Sequence, residues 1–345
     1  MKQIKQMKDF ELRVSTTEPR YGSTSLTTSE HRHRQPTDEA RYKEGDLMVI
    51  SKVMVIGAGV MGRGISRLLA GAGIDVTLID LSDKIIEESL RLLSEEMDAD
   101  IEKWGMTVSE KKAILSRIKG TTKYDDAPVV DLVIEAIPED MELKRRVFTK
   151  LDQITRPEIV LISHTSTLSI TEIASATKRP HQVIGLHFLP PVTKIPLVEV
   201  VRGLNTSPET INLIKELAEQ HLGKTVVTVY EYPGYVTTRI IVPLLNEAMH
   251  VLMEGIATAE DIDTAIKLGF GFNIGPLALA DMMGLDEVMK WMENLLNELS
   301  DHKYNPCPLL RKLVRAGHLG RKTGQGFFKY DAEGNKIGEA ELFPK

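Results

Sequence analysis

Apolar residues first gather at Val53-Met-Val-Ile56, a run with no polar residue at alternate positions. That is the pattern of a strand covered on both faces. A glycine turn follows, then an amphipathic stretch to about Ala70, then a second apolar run, Val76-Thr-Leu-Ile-Asp80. Strand, turn, helix and strand in that order make one βαβ unit. Residues 83–119 read as two helices, the first carrying Ile85, Ile86, Leu90, Leu93 and Met97 at helical spacing. Gly105 breaks them, and the Thr-x-x-Glu spacing of Thr107 and Glu110 opens the second as a capping box. Further apolar runs at 129–134, 159–162 and 183–186 alternate with helical stretches, which predicts a doubly wound parallel sheet carrying a helical insert. The runs at 197–201 and 225–229 read as edge strands. After Pro233-Gly234 the strand signal stops, and the remainder reads as helices built on Leu, Met, Ile and Ala, with a turn at 269–276. The predicted organisation is therefore an α/β domain over 48–231 and an all-α domain over 232–345.

Residues 1–47 differ from both. They are rich in Ser, Thr, Glu, Arg and Lys and offer no periodic apolar face, so a disordered extension is expected. Acidic residues from Asp9 to Asp46 set this segment apart from an organellar transit peptide. Met48 stands directly before the first strand, which reads as an upstream-extended start.

Composition narrows the partners. The chain has 345 residues, 42% of them hydrophobic, enough for two cores. A net charge of −6 without clustered Lys and Arg excludes a nucleic-acid surface and leaves a small molecule as the expected partner. The single cysteine, Cys307, lies between Pro306 and Pro308, which reads as a loop; neither a disulfide framework nor a metal site is expected. Without a long apolar run or a secretory signal, no membrane span is expected, and the location is read as cytoplasmic.

Gly57-Ala-Gly59-Val-Met-Gly62 satisfies G-x-G-x-x-G between a strand and a helix. In that context it is the Rossmann-type fingerprint. The first glycine permits the tight turn, the second lets a pyrophosphate approach, and the third lets helix and strand pack closely. Asp80 ends the second strand, where a carboxylate accepts from ribose hydroxyls and repels a 2′-phosphate. Since no Arg follows at Leu81 or Ser82, NAD is favoured over NADP, with FAD or no cofactor as the alternative. These patterns stop at a nicotinamide-linked dehydrogenase of unknown substrate.

A resemblance carries the reading further. The glycine turn continued to Gly64, Asp131-Leu-Val-Ile-Glu-Ala-Ile-Pro-Glu139, Thr165-Ser-Thr-Leu-Ser-Ile-Thr171, His187-Phe188 and Leu197-Val-Glu-Val200 match segments of one family in order. So do Pro233-Gly-Tyr235, Val242-Pro-Leu-Leu-Asn-Glu-Ala248, Gly275-Pro-Leu-Ala-Leu-Ala-Asp281 and Gly320-Arg-Lys-Thr-Gly-Gln-Gly-Phe-Phe328. The chain over 48 to about 330 resembles the L-3-hydroxyacyl-CoA dehydrogenases, most of all the single-function 3-hydroxybutyryl-CoA enzymes. The resemblance implies reversible oxidation of a (3S)-3-hydroxyacyl-CoA at C3 with NAD. It implies His187 as acid/base, Glu199 as its carboxylate partner, Ser166 as a hydrogen bond to the C3 oxygen, and Thr238 in the catalytic pocket. Glu139, Lys144 and His164 match positions beside the cofactor. The insert corresponds to a helical arm beside the coenzyme A moiety, and the C-terminal helices to a homodimer contact. His164, Pro190 and Thr238 stand where the family carries Asn, which leaves the C3 or C4 substituent of the substrate open. A free hydroxy acid as substrate, or a catalytically weak NAD-binding role, are the alternatives.

Overall fold

The computed structural model describes residues 50–342; the extension expected at 1–47 lies outside them. The first βαβ unit is β1 (Lys52–Ile56), α1 (Val60–Gly71) and β2 (Asp75–Ile79). The insert follows as α2 (Asp83–Glu102) and α3 (Val108–Ser116), then β3 (Ile118–Thr121). Next come β4 (Leu132–Glu135), α4 (Met141–Ile154), β5 (Val160–Ser163), α5 (Ile170–Ala174), β6 (Val183–Phe188) and β7 (Leu197–Arg202). After α6 (Pro208–Glu216) and β8 (Thr225–Tyr230) the chain becomes helical: α7 (Thr237–Met253), α8 (Ala259–Phe270), α9 (Pro276–Met283), α10 (Leu285–Leu299) and α11 (Pro308–Arg315). A short hairpin, β9 (Phe328–Tyr330) and β10 (Lys336–Glu339), ends the described chain.

The eight strands of the main sheet lie in the order β3-β2-β1-β4-β5-β6-β7-β8. All neighbours are parallel except β6 and β7, which run antiparallel. The unbroken apolar runs are explained by burial on both faces. Val53 and Val55 of β1 join one apolar cluster with Ile65 and Leu69 of α1, while Met54 and Ile56 join another with Val147 and Phe148 of α4. Each strand thus contributes alternate side chains to two cores. The Thr107–Glu110 capping box forms as expected, with Thr107 accepting from the Glu110 N–H and Glu110 reaching back to the Thr107 N–H.

Three expectations need correction. The stretch read as helix to residue 119 ends in β3, a four-residue edge strand that buries only Ile118 and so carries almost no apolar pattern. Helix α2 crosses it closely: a Cβ on Gly120 would lie 2.2 Å from the Ile86 side chain. Strand β7, read as an edge, is interior, and β8 forms the edge. The C-terminal part is helical but not all-α, because β10 is exposed at every position and gives no alternation to detect.

A third apolar cluster, separate from the two on the sheet, joins Val242, Leu245, Met249 and Leu252 of α7 to Val288 and Met292 of α10 and to Phe327 and Phe328. The glycine-rich segment 320–328 wraps Asp281. Its buried carboxylate accepts the N–H groups of Phe327 and Phe328 at 3.0 and 2.9 Å and the hydroxyl of Tyr330 at 3.0 Å. A Cβ on Gly326 would meet that carboxylate at 1.9 Å, which assigns the glycine there to packing.

Candidate active site

The carboxyl ends of the parallel strands converge on one edge of the sheet, where open α/β folds bind ligands. At the nucleotide end the chain leaves β1 through Gly57, whose φ of +101° and 2.4 Å clearance between an added Cβ and the Ala136 carbonyl admit only glycine. Gly62 is as tightly placed, since its Cβ would lie 1.7 Å from the Gly57 carbonyl. Gly59 is the opposite: an added Cβ would meet nothing within 4 Å. Gly59 is also the N-cap of α1, which has no side-chain cap and no acid in its first turn. Free amides and a partial positive charge therefore face open space, the arrangement a pyrophosphate needs. Asp80, just past β2, accepts the N–H of Ala58 and of Leu81, each at 2.6 Å. One bond to each oxygen fixes the carboxylate beside the turn and leaves lone pairs for ribose hydroxyls. These residues fit NAD.

At the catalytic end, antiparallel pairing sets His187 of β6 opposite Glu199 of β7 in register. Both are buried, and His187 Nδ1 lies 2.7 Å from Glu199 Oε2. The other ring nitrogen, Nε2, lies 3.1 Å from Ser166 Oγ, in the turn after β5. Hydroxyl, imidazole and carboxylate form one relay, with the half-buried Ser166 at its outer end. Burial pushes the Glu199 carboxyl up, but bonds from His187, Thr237 and the Thr237 backbone outweigh it and hold the group below its ordinary range.

The turn carrying Ser166 is fixed from beneath. Glu139 Oε1 accepts the N–H groups of Ser166 and Thr167, both at 2.9 Å, and the hydroxyls of Thr165 and Thr167 at 2.7 and 3.0 Å. Lys144 is wholly buried, 2.5 Å from Glu135 and 3.8 Å from Glu139. Glu139 and Lys144 thus direct their polar atoms to protein partners and act as a foundation for the catalytic turn. His164 packs behind the relay, its ring stacked on that of His187 at 5.7 Å between centroids. Burial, reinforced by His187, pushes its pKa down to about 3. The ring is therefore neutral, and its Nδ1 lies 3.2 Å from the Leu186 carbonyl and 3.4 Å from the Phe188 amide nitrogen.

Several partners carried no signal in the sequence. Thr237, the first residue of α7, donates its N–H at 3.0 Å and its hydroxyl at 2.7 Å to Glu199, which also accepts the Val236 N–H at 3.0 Å. Its neighbour Thr238, which the resemblance had placed in the catalytic pocket, is buried. Tyr235 sits edge-on to the His187 ring at 5.5 Å and reaches the Leu168 carbonyl. Asn294 of α10 donates to Thr167 at 2.8 Å, tying the helical half to the catalytic turn. Glu135 and Ser163 complete the buried polar layer under the relay, 2.7 Å apart. Such contacts join positions tens of residues apart, and no local spacing announces them. Among the described residues, no group of three His, Cys, Asp or Glu side chains is arranged to hold a metal ion.

A dinucleotide cradle and a hydrogen-bonded hydroxyl–imidazole–carboxylate chain on one sheet edge suit a single chemistry: the first can position a hydride carrier, and the second can handle the proton that accompanies the hydride. That pairing defines the nicotinamide-dependent dehydrogenases.

The chain belongs to the 3-hydroxyacyl-CoA dehydrogenase family. The family's NAD-binding domain matches residues 52–232, and its C-terminal domain matches residues 234–330. The chain is 46% identical over 284 residues to a probable 3-hydroxybutyryl-CoA dehydrogenase of Bacillus subtilis, covering 82% of this chain and 99% of that one. It is 39% identical to the mitochondrial hydroxyacyl-coenzyme A dehydrogenase of Homo sapiens, covering 82% and 92%. Among solved structures, (S)-3-hydroxybutyryl-CoA dehydrogenase from Ralstonia eutropha superposes with a TM-score of 0.74 at 44% identity, covering 82% of this chain and 99% of that one.

Proposed function

We propose that the chain interconverts a short-chain (3S)-3-hydroxyacyl-CoA and the matching 3-oxoacyl-CoA with NAD. The observation that carries this reading is the Ser166–His187–Glu199 relay, at 3.1 and 2.7 Å, on the same sheet edge as the glycine turn. Ser166 holds the C3 oxygen by a hydrogen bond. His187 Nε2 takes the hydroxyl proton during oxidation and returns it during reduction, and Glu199 orients the ring and stabilises its protonated form. NAD, when bound, accepts the hydride from C3. Asp80 selects it over NADP, while Glu139 and Lys144 keep the catalytic turn in place. The test is NADH oxidation with acetoacetyl-CoA, longer 3-oxoacyl-CoA thioesters and free acetoacetate. Turnover confined to the free acid would overturn the thioester assignment.

Thr238 governs the finer choice of substrate in this reading. Its side chain is buried, and with His164 and Pro190 it stands where the family pattern carries amide groups. A missing hydrogen bond in a closed site costs about 1–3 kcal/mol, roughly 5- to 150-fold in rate. Acetoacetyl-CoA should therefore turn over slowly, and Thr238→Asn should speed it. Fast wild-type turnover, unimproved by Thr238→Asn, would show that the pocket compensates.

The same reading makes the protein a cytoplasmic homodimer joined through its helical part, with the division between the two parts near residue 231. Exposed Ile240, Ile256, Leu268 and Phe270 on α7, α8 and the turn between them support the pairing. A buried, unpaired Cys307 suits a reducing compartment. Light scattering at micromolar concentration should give twice the 38.5 kDa chain mass.

A further inference from the structure

Glu199 is the meeting point of the two halves. Its Oε1 accepts the Val236 and Thr237 N–H groups of the first turn of α7. Its Oε2 accepts two donors at the same distance, 2.7 Å: the imidazole Nδ1 of His187 and the hydroxyl of Thr237. The carboxylate therefore gives the imidazole only part of its charge. Each further donor disperses the negative charge on the oxygen, as does the partial positive end of a helix.

We propose that Thr237 is a positioning residue that, by sharing Oε2 with His187, sets how strongly Glu199 favours the protonated imidazole. This rests on the reading of His187 as the acid/base. With the hydroxyl gone, Oε2 serves the imidazole alone and the imidazolium is favoured. In oxidation the ring must begin unprotonated, so the acid limb of the rate profile moves to higher pH. In reduction it must begin protonated, so the alkaline limb also moves to higher pH. The shift has one sign in both directions, which a change in packing or substrate affinity does not produce.

The other groups facing this relay are held by contacts that do not involve the Thr237 hydroxyl. The neutral His164 ring stacks on His187, and Tyr235 meets its edge. Ser166 Oγ faces Nε2. Glu139, Lys144 and Glu135 lie beneath the catalytic turn. Glu231 is bound to Ser169 and Thr171. Arg239, further along α7, stacks on Tyr232 at 4.4 Å.

The test is the pH dependence of kcat/KM in both directions for the wild type, Thr237→Val, Thr237→Ala and Thr237→Ser. The Val and Ala variants should shift both limbs upward by about half a unit to one unit. The Ser variant, which keeps the hydroxyl, should retrace the wild-type profile. Unshifted limbs in Thr237→Val and Thr237→Ala, a downward shift, or a Ser profile that matches Val would overturn the proposal. His187→Gln separates the two levels. An inactive His187→Gln beside an unshifted Thr237→Val sinks the role of Thr237 alone, whereas a His187→Gln enzyme that keeps turnover and both limbs sinks the acid/base reading beneath it.

Discussion

The two ends of the cleft are held by opposite means. The nucleotide end is backbone: Gly57 and Gly62 approach their neighbours so closely that a single methyl does not fit, and Asp80 is fixed by two main-chain amides. The catalytic end is assembled from side chains of five separate segments, at Glu139, Ser166, His187, Glu199 and Thr237. The glycine turn of the first end is written in six consecutive residues, with Asp80 added from the end of β2, whereas the second end exists only once the sheet has formed. Damage should differ accordingly: at the catalytic end it should cost rate, and at the nucleotide end affinity.

His187→Gln should give the largest effect, lowering kcat by roughly 10²- to 10⁴-fold, the usual contribution of a positioned acid/base, while NADH affinity stays near wild type. Stopped-flow turnover with fluorescence titration of NADH checks both, and a variant that lost affinity but kept kcat would erase the contrast. Gly62→Ala should do the reverse. Its Cβ would lie 1.7 Å from the Gly57 carbonyl, so α1 must move off β1. Overpacking of that kind costs about 1–3 kcal/mol, which should weaken NADH binding about 5- to 150-fold and leave kcat at saturation within a few-fold.

His164 supports the catalytic end, and its effect is read in stability. Its pKa is pushed from the ordinary 6.5 to about 3 in the folded chain, so between those values the unfolded chain binds a proton that the folded chain refuses. Its contribution is intact above about pH 6.5 and lost as pH falls, by about 1.4 kcal/mol per unit, or about 2 kcal/mol by pH 5. Urea unfolding at pH 7 and pH 5 should show a shallower loss for His164→Asn; equal losses would mean that the ring is not held neutral. The smallest effect is expected at Asp80→Ala, about a tenfold weakening of NADH with little change for NADPH, since the carboxylate both binds a ribose hydroxyl and repels a 2′-phosphate. A wild type that already prefers NADPH would contradict this.

The same division explains what could be read from the sequence. The turn at 57–62, the Thr107 capping box and the two-sided strands β1, β4 and β5 were legible because their causes lie within a few residues. Strand β3 was not, because a four-residue edge strand with one buried side chain resembles the end of a helix. The interior place of β7 depends on pairing with both β6 and β8, and on the antiparallel pairing with β6 rests the opposition of His187 and Glu199. Resemblance supplied those two residues without supplying the reason they meet. It also drew attention to Thr238, whereas the bond to Glu199 is made by Thr237 one position earlier, a difference that helix phase decides.

The bare N-terminus of α1 has a thermodynamic consequence. A helix that begins at a glycine without a capping side chain leaves its first amides for another molecule to satisfy. Part of the native structure is thus completed by solute, and cofactor concentration becomes a folding variable: free NAD at a hundred times its Kd adds about 2.7 kcal/mol to the stability of the whole chain. Amide hydrogens along the first turn of α1 should accordingly exchange with solvent rapidly in the bare protein and slowly in the complex. The stability of this fold is therefore a function of the cell's nicotinamide pool as well as of its sequence.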